Sequence, residues 1–166
     1  GCTSQQQGGV VYTSTGSSLV LKSGSIAGCE ATNSSISGNG GGVYISGGSL
    51  TIDGGSISSC ASDSAGGGVA VFASGTMTMN GGSIDNCKTT SISTGTGGGI
   101  FNGNGSLTLN GGKISTCSSN YGGGVYSYQN SVSFAANTAS VLTFTGNTAS
   151  SSPNGNNFYK DSGTSV

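Results

Sequence analysis

The chain has 166 residues, of which 34 are glycine and only 5% are charged, and its net charge is −1. This length suits a single domain, and the charge offers no basic surface to nucleic acid or an anionic membrane. No apolar run approaches the roughly 18 residues of a membrane-spanning helix. Aliphatic residues recur at short intervals, which excludes a disordered linker. The sequence therefore predicts one folded domain over residues 1–166.

The first predicted element of each repeat is a short strand that follows a glycine run. Its weakest copy is Gly8-Gly9-Val10. The leading aliphatic residues, spaced 25 to 33 residues apart, are Val10, Val43, Val69, Ile100 and Val125. Because side chains alternate between the faces of a strand, the last four are predicted to point inward. Their neighbours are then predicted to point outward, namely Tyr44, Ala70, Phe101 and Tyr126.

The second and third predicted strands lie in a block that has a glycine-containing corner in its middle and ends in cysteine. The block occurs at residues 18–29, 49–60, 76–87 and 106–117. In the second strand, two residues of each copy are predicted to point inward: Leu19/Leu21, Leu50/Ile52, Met77/Met79 and Leu107/Leu109. In the third strand, one isoleucine of each copy is predicted to point inward: Ile26, Ile57, Ile84 and Ile114.

Three such strands with their corners use about 25 residues, the shortest repeat spacing, and longer repeats carry insertions such as Lys88–Thr96. Stacked coils bury a continuous inner column, and crossover connections between parallel strands are right-handed. The sequence therefore predicts an all-β, single-stranded right-handed parallel β-helix of about five coils. Residues 1–9 would form a partial first coil, 10–150 the repeats and 151–166 a partial or irregular last coil. Within the last part, Gly155–Lys160 is predicted to be a degenerate first strand.

The cysteines are predicted to be one structural position, because their spacings of 27, 31, 27 and 30 residues follow the coil period. They are Cys2, Cys29, Cys60, Cys87 and Cys117. The absence of CxxC spacing and of His excludes a zinc site. Two interpretations stay open: a ladder of reduced, buried thiols, or disulfides between adjacent coils, whose Cα separation of about 4.8 Å lies in the disulfide range. Because five cysteines cannot all pair within one chain, at least one stays free or pairs with another molecule. Cys2, at the exposed end, is the candidate for such an intermolecular link.

The repeats resemble those of the polymorphic outer-membrane proteins and related autotransporter-type adhesins, which have a pectin-lyase-like right-handed β-helix. Those proteins carry tandem GGA-[ILV] and FxxN motifs; here the first motif appears as GGG-[VI] and the second once, as Phe144-Thr145-Gly146-Asn147. Asn147 follows Cys117 by 30 residues and so falls in the cysteine position. The resemblance covers roughly residues 8–150 and implies a structural and adhesive role at a cell surface.

The acidic residues do not form a catalytic pattern. Polysaccharide lyases and hydrolases on this scaffold need clustered carboxylates, or basic residues with a metal. The five acidic residues are Glu30, Asp53, Asp63, Asp85 and Asp161. Only Asp53 and Asp85 lie near predicted strands, and they fall at different coil positions. We therefore expect no catalytic, cofactor or metal site, and predict that the protein is not an enzyme.

Two further surface features follow from the sequence. Asn33-Ser34-Ser35 and Asn104-Gly105-Ser106 match the N-glycosylation pattern, although chance matches are expected in a chain rich in Asn and Ser. The outward positions of the second strand form a hydroxyl array: Ser49, Thr51, Thr76, Thr78, Ser106 and Thr108. This array resembles the threonine faces of β-solenoid ice-binding proteins, but Thr is also ordinary on a solvated sheet.

Together these observations predict an extracellular or cell-surface structural protein, a building block of an appendage, filament or adhesin. No capping helix is visible in the sequence, and open solenoid ends expose strand edges that pair with a neighbour. The predicted partner is another copy, end to end, or a continuation of a longer solenoid, with glycans possible. Neither nucleic acid nor a transmembrane segment is expected. Ice binding is the alternative function.

Overall fold

A computed structural model of the protein describes residues 1–33, 38–128, 132–135, 140–151 and 155–161. These residues form 22 short strands in four parallel sheets. Successive strands along the chain belong to successive sheets, so each turn of the chain adds one strand to each sheet. The result is a β-solenoid of about five coils, which confirms the predicted fold class. No helix of the described ranges has the length and hydropathy to cross a membrane.

Three of the sheets contain the predicted strands. The first sheet consists of β2 (Val11–Ser14), β6 (Val43–Ser46), β10 (Val69–Phe72), β14 (Ile100–Asn102), β18 (Val125–Tyr128) and β22 (Phe158–Asp161). The second consists of β3 (Ser18–Leu21), β7 (Ser49–Ile52), β11 (Thr76–Met79), β15 (Ser106–Leu109) and β19 (Val132–Phe134). The third consists of β4 (Ser25–Ala27), β8 (Ser56–Ser58), β12 (Ser83–Asp85), β16 (Gly112–Ser115) and β20 (Leu142–Thr145).

A fourth sheet follows the cysteine position, and the sequence pattern does not predict it. It consists of β1 (Thr3–Ser4), β5 (Glu30–Ala31), β9 (Ala61–Ser62), β13 (Lys88–Thr89), β17 (Ser118–Ser119) and β21 (Thr148–Ala149). Strands of two residues are too short to show alternation. Because Lys88 and Thr89 pair with β9 and Thr96 bridges to Ala65, the predicted insertion narrows to Thr90–Gly95.

The core is the set of inward columns that the repeat predicts. Side chains at these positions in the central coils are almost completely buried, and those of the first and last coils pack half-buried against them. Burying an aliphatic side chain contributes about 1.5–3 kcal/mol relative to its exposed state. Stacking is therefore what stabilises strands that could not persist alone.

The first repeat is shifted by one residue from the predicted alignment. Val11, rather than Val10, pairs with Val43. The amides of Val10 and Val11 both donate to the carbonyl of Gly42, so Val10 takes the place of a third glycine. The predicted strand at the other end is confirmed, because Phe158 pairs with Val125.

The corner before the cysteine position turns through a left-handed residue in each coil. The residues there, with their φ values, are Gly28 (61°), Ser59 (53°), Asn86 (52°), Thr116 (52°) and Gly146 (65°). Side chains with a Cβ make this conformation costly, by about 1–2 kcal/mol per residue. Ser59 and Thr116 therefore hold a strained backbone that the stacking of coils maintains.

Candidate functional surfaces

Four of the five cysteines form a buried column along the solenoid axis. Cys29, Cys60, Cys87 and Cys117 are at most 3% exposed, whereas Cys2 is exposed. Pairing of Thr3 with Glu30 places Cys2 at the position of its coil that Cys29 holds in the next. All five are free thiols in this structure. The choice between thiols and intercoil disulfides in the native protein stays a prediction.

The buried thiols are hydrogen-bonded to the backbone and to one another. The sulfur of Cys60 lies 3.3 Å from the Ser58 carbonyl oxygen, and that of Cys87 lies 3.3 Å from the Asp85 carbonyl oxygen. Hydrogen bonds with Cys117 and Cys60, together with burial, raise the pKa of Cys87. The bond to Cys87 lowers the pKa of Cys117 and lowers that of Cys60 to about 7.

Asn147 continues the cysteine column in the last coil. Its side-chain oxygen accepts a hydrogen bond from the Cys117 amide at 2.9 Å. Its amide nitrogen donates to the Ile114 carbonyl at 3.0 Å and to the side-chain oxygen of Asn157 at 3.1 Å. Asn147 is 4% exposed, so this network satisfies a buried amide. The predicted equivalence of Asn147 and the cysteines is confirmed.

Six aromatic rings stack into a ladder on the outer face of the first sheet. Adjacent ring centroids are 5.1 to 5.6 Å apart. The rings, in order along the axis, are Tyr12, Tyr44, Phe72, Phe101, Tyr126 and Tyr159. Rings within the ladder turn their faces to one another and only their edges outward. Stacked pairs of this kind contribute about 0.5–1.5 kcal/mol each beyond their burial.

Phe72 fills a gap in this ladder that the sequence analysis missed. Ala70 is the residue in register with Tyr44 and Phe101, and it carries no ring. Phe72 lies two residues later on the same face and stacks between those rings. The available signal was the alternation rule, which places residues i and i+2 on one face.

The predicted hydroxyl array lies on the outer face of the second sheet in two columns. One column contains Ser49, Thr76 and Ser106, and the other contains Thr51, Thr78 and Thr108. Neighbouring members of a column are about 4.8 Å apart along the axis. Val20 is in register with Thr51 and interrupts the second column in the first coil.

The carboxylates of Asp53 and Asp85 accept hydrogen bonds at separate places, Asp53 in the turn after β7 and Asp85 at the end of β12. Asp85 accepts from the hydroxyls of Ser115 and Thr116, both at 2.6 Å, and these bonds lower the pKa of Asp85. Asp53 accepts from the side chain of Asn80 at 2.8 Å. Among the residues that the structure describes, no group of three or more His, Cys, Asp or Glu side chains could hold a metal ion.

The two predicted glycosylation sites differ in their surroundings. The side-chain nitrogen of Asn33 donates to the Gln5 carbonyl at 2.6 Å, while Ser34 and Ser35 lie outside the described residues. The side-chain oxygen of Asn104 accepts from the Ala73 amide at 2.5 Å, and Asn104 is exposed. Modification of either residue stays a prediction.

Comparison with known proteins identifies the fold family. The family model described as right handed beta helix region matches residues 3–166. Neither the curated proteins nor the solved structures contain a match to this chain. The match covers almost the whole sequence and agrees with the stacked parallel sheets, so the chain belongs to the right-handed β-helix family.

Proposed function

We propose that this chain is a non-catalytic structural protein of the cell surface or extracellular space, a β-helical building block of an appendage, filament or adhesin. One observation carries the proposal: the first sheet, the second sheet and the core each repeat one class of residue from coil to coil. The aromatic ladder, the hydroxyl columns and the inward aliphatic columns all run along the axis. Surfaces that repeat in this way suit the stacking of further coils into a filament and contact between neighbouring rods. They suit a single reaction centre less well.

The sequence supports this role in two further ways. The GGG-[VI] motifs and Phe144-Thr145-Gly146-Asn147 resemble the repeats of polymorphic outer-membrane proteins and autotransporter-type adhesins. Charged residues amount to 5% of the chain, against the roughly 25% of an average soluble protein. Hydrogen bonds between neighbouring coils are accepted by the carboxylates of Asp53, Asp63 and Asp85. This supports the interpretation that these acidic residues are structural and not catalytic.

End-to-end association is tested by light scattering and electron microscopy of the purified chain. Tyr12 is 55% exposed at the first position of the ladder, and a second copy stacked there would cover it. We expect rods longer than one chain, and fewer of them for Tyr12→Asp. Ile92→Asp changes an exposed aliphatic residue on the side of a central coil, away from both ends of the solenoid, and serves as the control. A monomer that is insensitive to concentration would contradict the assembly.

Ice binding is the second candidate, and the in-register hydroxyl columns of the second sheet favour it. Two columns at sheet spacing present hydroxyl and methyl groups at regular positions, as an ordered water layer requires. The test is thermal hysteresis of the parent chain and of Thr78→Tyr. Ser83→Tyr, on the neighbouring third sheet, is the matched control. Activity lost only in Thr78→Tyr would establish ice binding, and an inactive parent would exclude it.

A further inference from the structure

The four buried cysteines have the same surroundings in successive coils. The residue after each cysteine pairs with its counterpart in the next coil. Each sulfur lies 3.2 to 3.3 Å from the carbonyl oxygen two residues earlier in the chain. The sulfurs of Cys60, Cys87 and Cys117 also lie 3.7 to 3.8 Å from an isoleucine carbonyl oxygen of the preceding coil. The side chains therefore share one orientation, and their sulfurs follow one another at the strand spacing of about 4.8 Å.

The third glycine of each GGG motif leaves the space in which a sulfur lies. A Cβ added to Gly68 would lie 3.3 Å from the sulfur of Cys87, and one added to Gly99 would lie 3.2 Å from that of Cys117. A side chain at either glycine would therefore crowd the sulfur. Two motifs from different parts of the repeat thus meet in each coil, and together they keep the cysteine column regular.

The thiol protons of the column can be replaced without leaving a buried carbonyl unsatisfied. Three of the carbonyl oxygens that face the thiols also accept a backbone amide of the preceding coil, at 2.9 to 3.0 Å. They belong to Ser58, Asp85 and Ser115. Because a thiol is a weak donor and these oxygens keep a stronger partner, loss of the S–H groups costs little.

The column offers a cation two sulfurs at a time. Zinc takes four ligands in a tetrahedron, and the described residues contain no group of three or more suitable side chains. Soft thiolate ligands favour monovalent copper, and the closed-shell ions Cu(I) and Ag(I) accept two thiolates in line. Two metal–sulfur bonds in line span about 4.6 Å if each is about 2.3 Å long, as in zinc thiolates. This span is close to the spacing of the sulfurs.

The balance of charge favours a chain of ions that share their sulfurs. Four buried sulfurs leave three gaps between neighbours. When a monovalent ion enters a gap, it bonds to the two facing sulfurs, and one thiol proton leaves to solvent. Three ions thus replace three of the four protons, the two inner sulfurs each bridge two ions, and one outer sulfur stays protonated as a neutral donor. The column then remains neutral, which avoids the cost of an unpaired buried charge.

We propose that the buried cysteine column binds soft monovalent metal ions, Cu(I) or Ag(I), one between each pair of neighbouring sulfurs. The column ends at Asn147, whose amide is committed to the Cys117 amide and the Ile114 carbonyl. Because the sulfurs are buried, ions reach them when the coils open locally. This role is independent of the assembly and ice binding proposed above, since it uses the interior of the solenoid.

The test is native mass spectrometry of the folded, reduced Cys2→Ser chain, which lacks the exposed thiol. Cu(I) under nitrogen and Ag(I) are the probes, each in the presence of excess glutathione, with Zn(II) as the comparison. We expect three ions of Cu(I) or Ag(I) per chain, each adding the mass of the ion less one proton, and no bound Zn(II). Circular dichroism should keep its β-sheet signal, and the thermal midpoint should rise because the ions bind the native state.

The position of a substitution distinguishes a column from four independent thiols. Cys29→Ala removes an outer sulfur and leaves two gaps, so two ions are expected. Cys87→Ala removes an inner sulfur and leaves one gap, so one ion is expected. Cys60→Ala is a second inner variant with the same expectation, and it serves if Cys87→Ala folds poorly. Four results would each overturn the proposal: no ion retained by the Cys2→Ser chain, equal losses in outer and inner variants, Zn(II) retained equally well, or loss of the β-sheet signal on loading.

Discussion

The central coils and the first coil use the same residue types at the same positions, yet they differ in burial. Ile57, Ile84 and Ile114 are completely buried, whereas Ile26 in the same column is only partly buried. The difference arises because a central strand has neighbours on both sides and a strand of the first coil has one in the described chain. In a solenoid, a side chain is buried by the coils on either side of it as well as by its own.

The largest expected contrast is in thiol reactivity. Cys2 is exposed, and Cys87 is buried in the centre. We expect iodoacetamide to modify Cys2 of the reduced, folded chain at least a thousandfold faster than Cys87, because Cys87 reacts only after opening of the coils. Mass spectrometry of timed samples measures both rates. Similar rates for the two cysteines would mean that the cysteine column opens readily. Disulfides found in native material that has not been reduced would overturn the interpretation of the column as free thiols.

The second contrast compares one substitution in two coils. Ile84→Ala should lower the free energy of unfolding by about 3–4 kcal/mol, because it leaves a cavity in the centre of the core. Ile26→Ala should lower it by about 1–2 kcal/mol, since the site is partly open and loses less burial. Urea denaturation followed by circular dichroism gives both values. Equal losses would contradict the role of the neighbouring coils.

The third contrast compares two residues of the cysteine column. Asn147→Ala should cost about 2–3 kcal/mol, because the Cys117 amide and the Ile114 carbonyl lose their partner while buried. Cys117→Ala removes one sulfur and should cost about 1–2 kcal/mol. Comparison of their unfolding midpoints ranks the two. A milder effect at Asn147 would show that water replaces the amide there.

The fourth contrast concerns the left-handed corner, which holds glycine in the first coil and serine in the next. Gly28→Ser should destabilise the chain by about 1 kcal/mol, because a Cβ there has room but the backbone becomes strained. Ser59→Gly should stabilise it by about 0.5 kcal/mol, since the relief of strain exceeds the entropy cost of glycine. We expect the two variants to shift the thermal midpoint in opposite directions. Shifts of the same sign would contradict the claim that the backbone is strained at this corner.

The smallest expected effect concerns acid. The hydroxyls of Ser115 and Thr116 hold the pKa of Asp85 below its usual value, while Ala27 occupies the aligned position in the first coil. A lowered folded-state pKa stabilises the protein above the unfolded pKa, and this stability is lost as pH falls through the folded pKa. The double variant Ser115→Ala/Thr116→Val should therefore lose less of its unfolding free energy than the parent does as the pH falls below about 4. Asn80→Ala, which leaves Asp85 untouched, should not.

The sequence predicted the elements that have a period and missed those that do not. Alternation identified the inward columns, because Leu107 and Leu109 flank an outward Thr108 in a strand of four. The two-residue strands of the fourth sheet, such as Lys88–Thr89, give no such signal. Phe72 reaches the aromatic ladder by packing rather than by register. The bounds of the Thr90–Gly95 insertion could not be predicted, since they follow from the pairing of Thr89 and Thr96 with the preceding coil.

The backbone hydrogen bonds between coils have a mechanical consequence. They connect each coil to the next and so run parallel to the solenoid axis. Tension along the axis would pull directly on the bonds of one interface at a time, and the chain would peel off coil by coil. Each released coil would lengthen the molecule by about 25 to 33 residues of chain. Under a sudden load such a rod would extend in steps, one coil at a time, instead of unfolding in a single event.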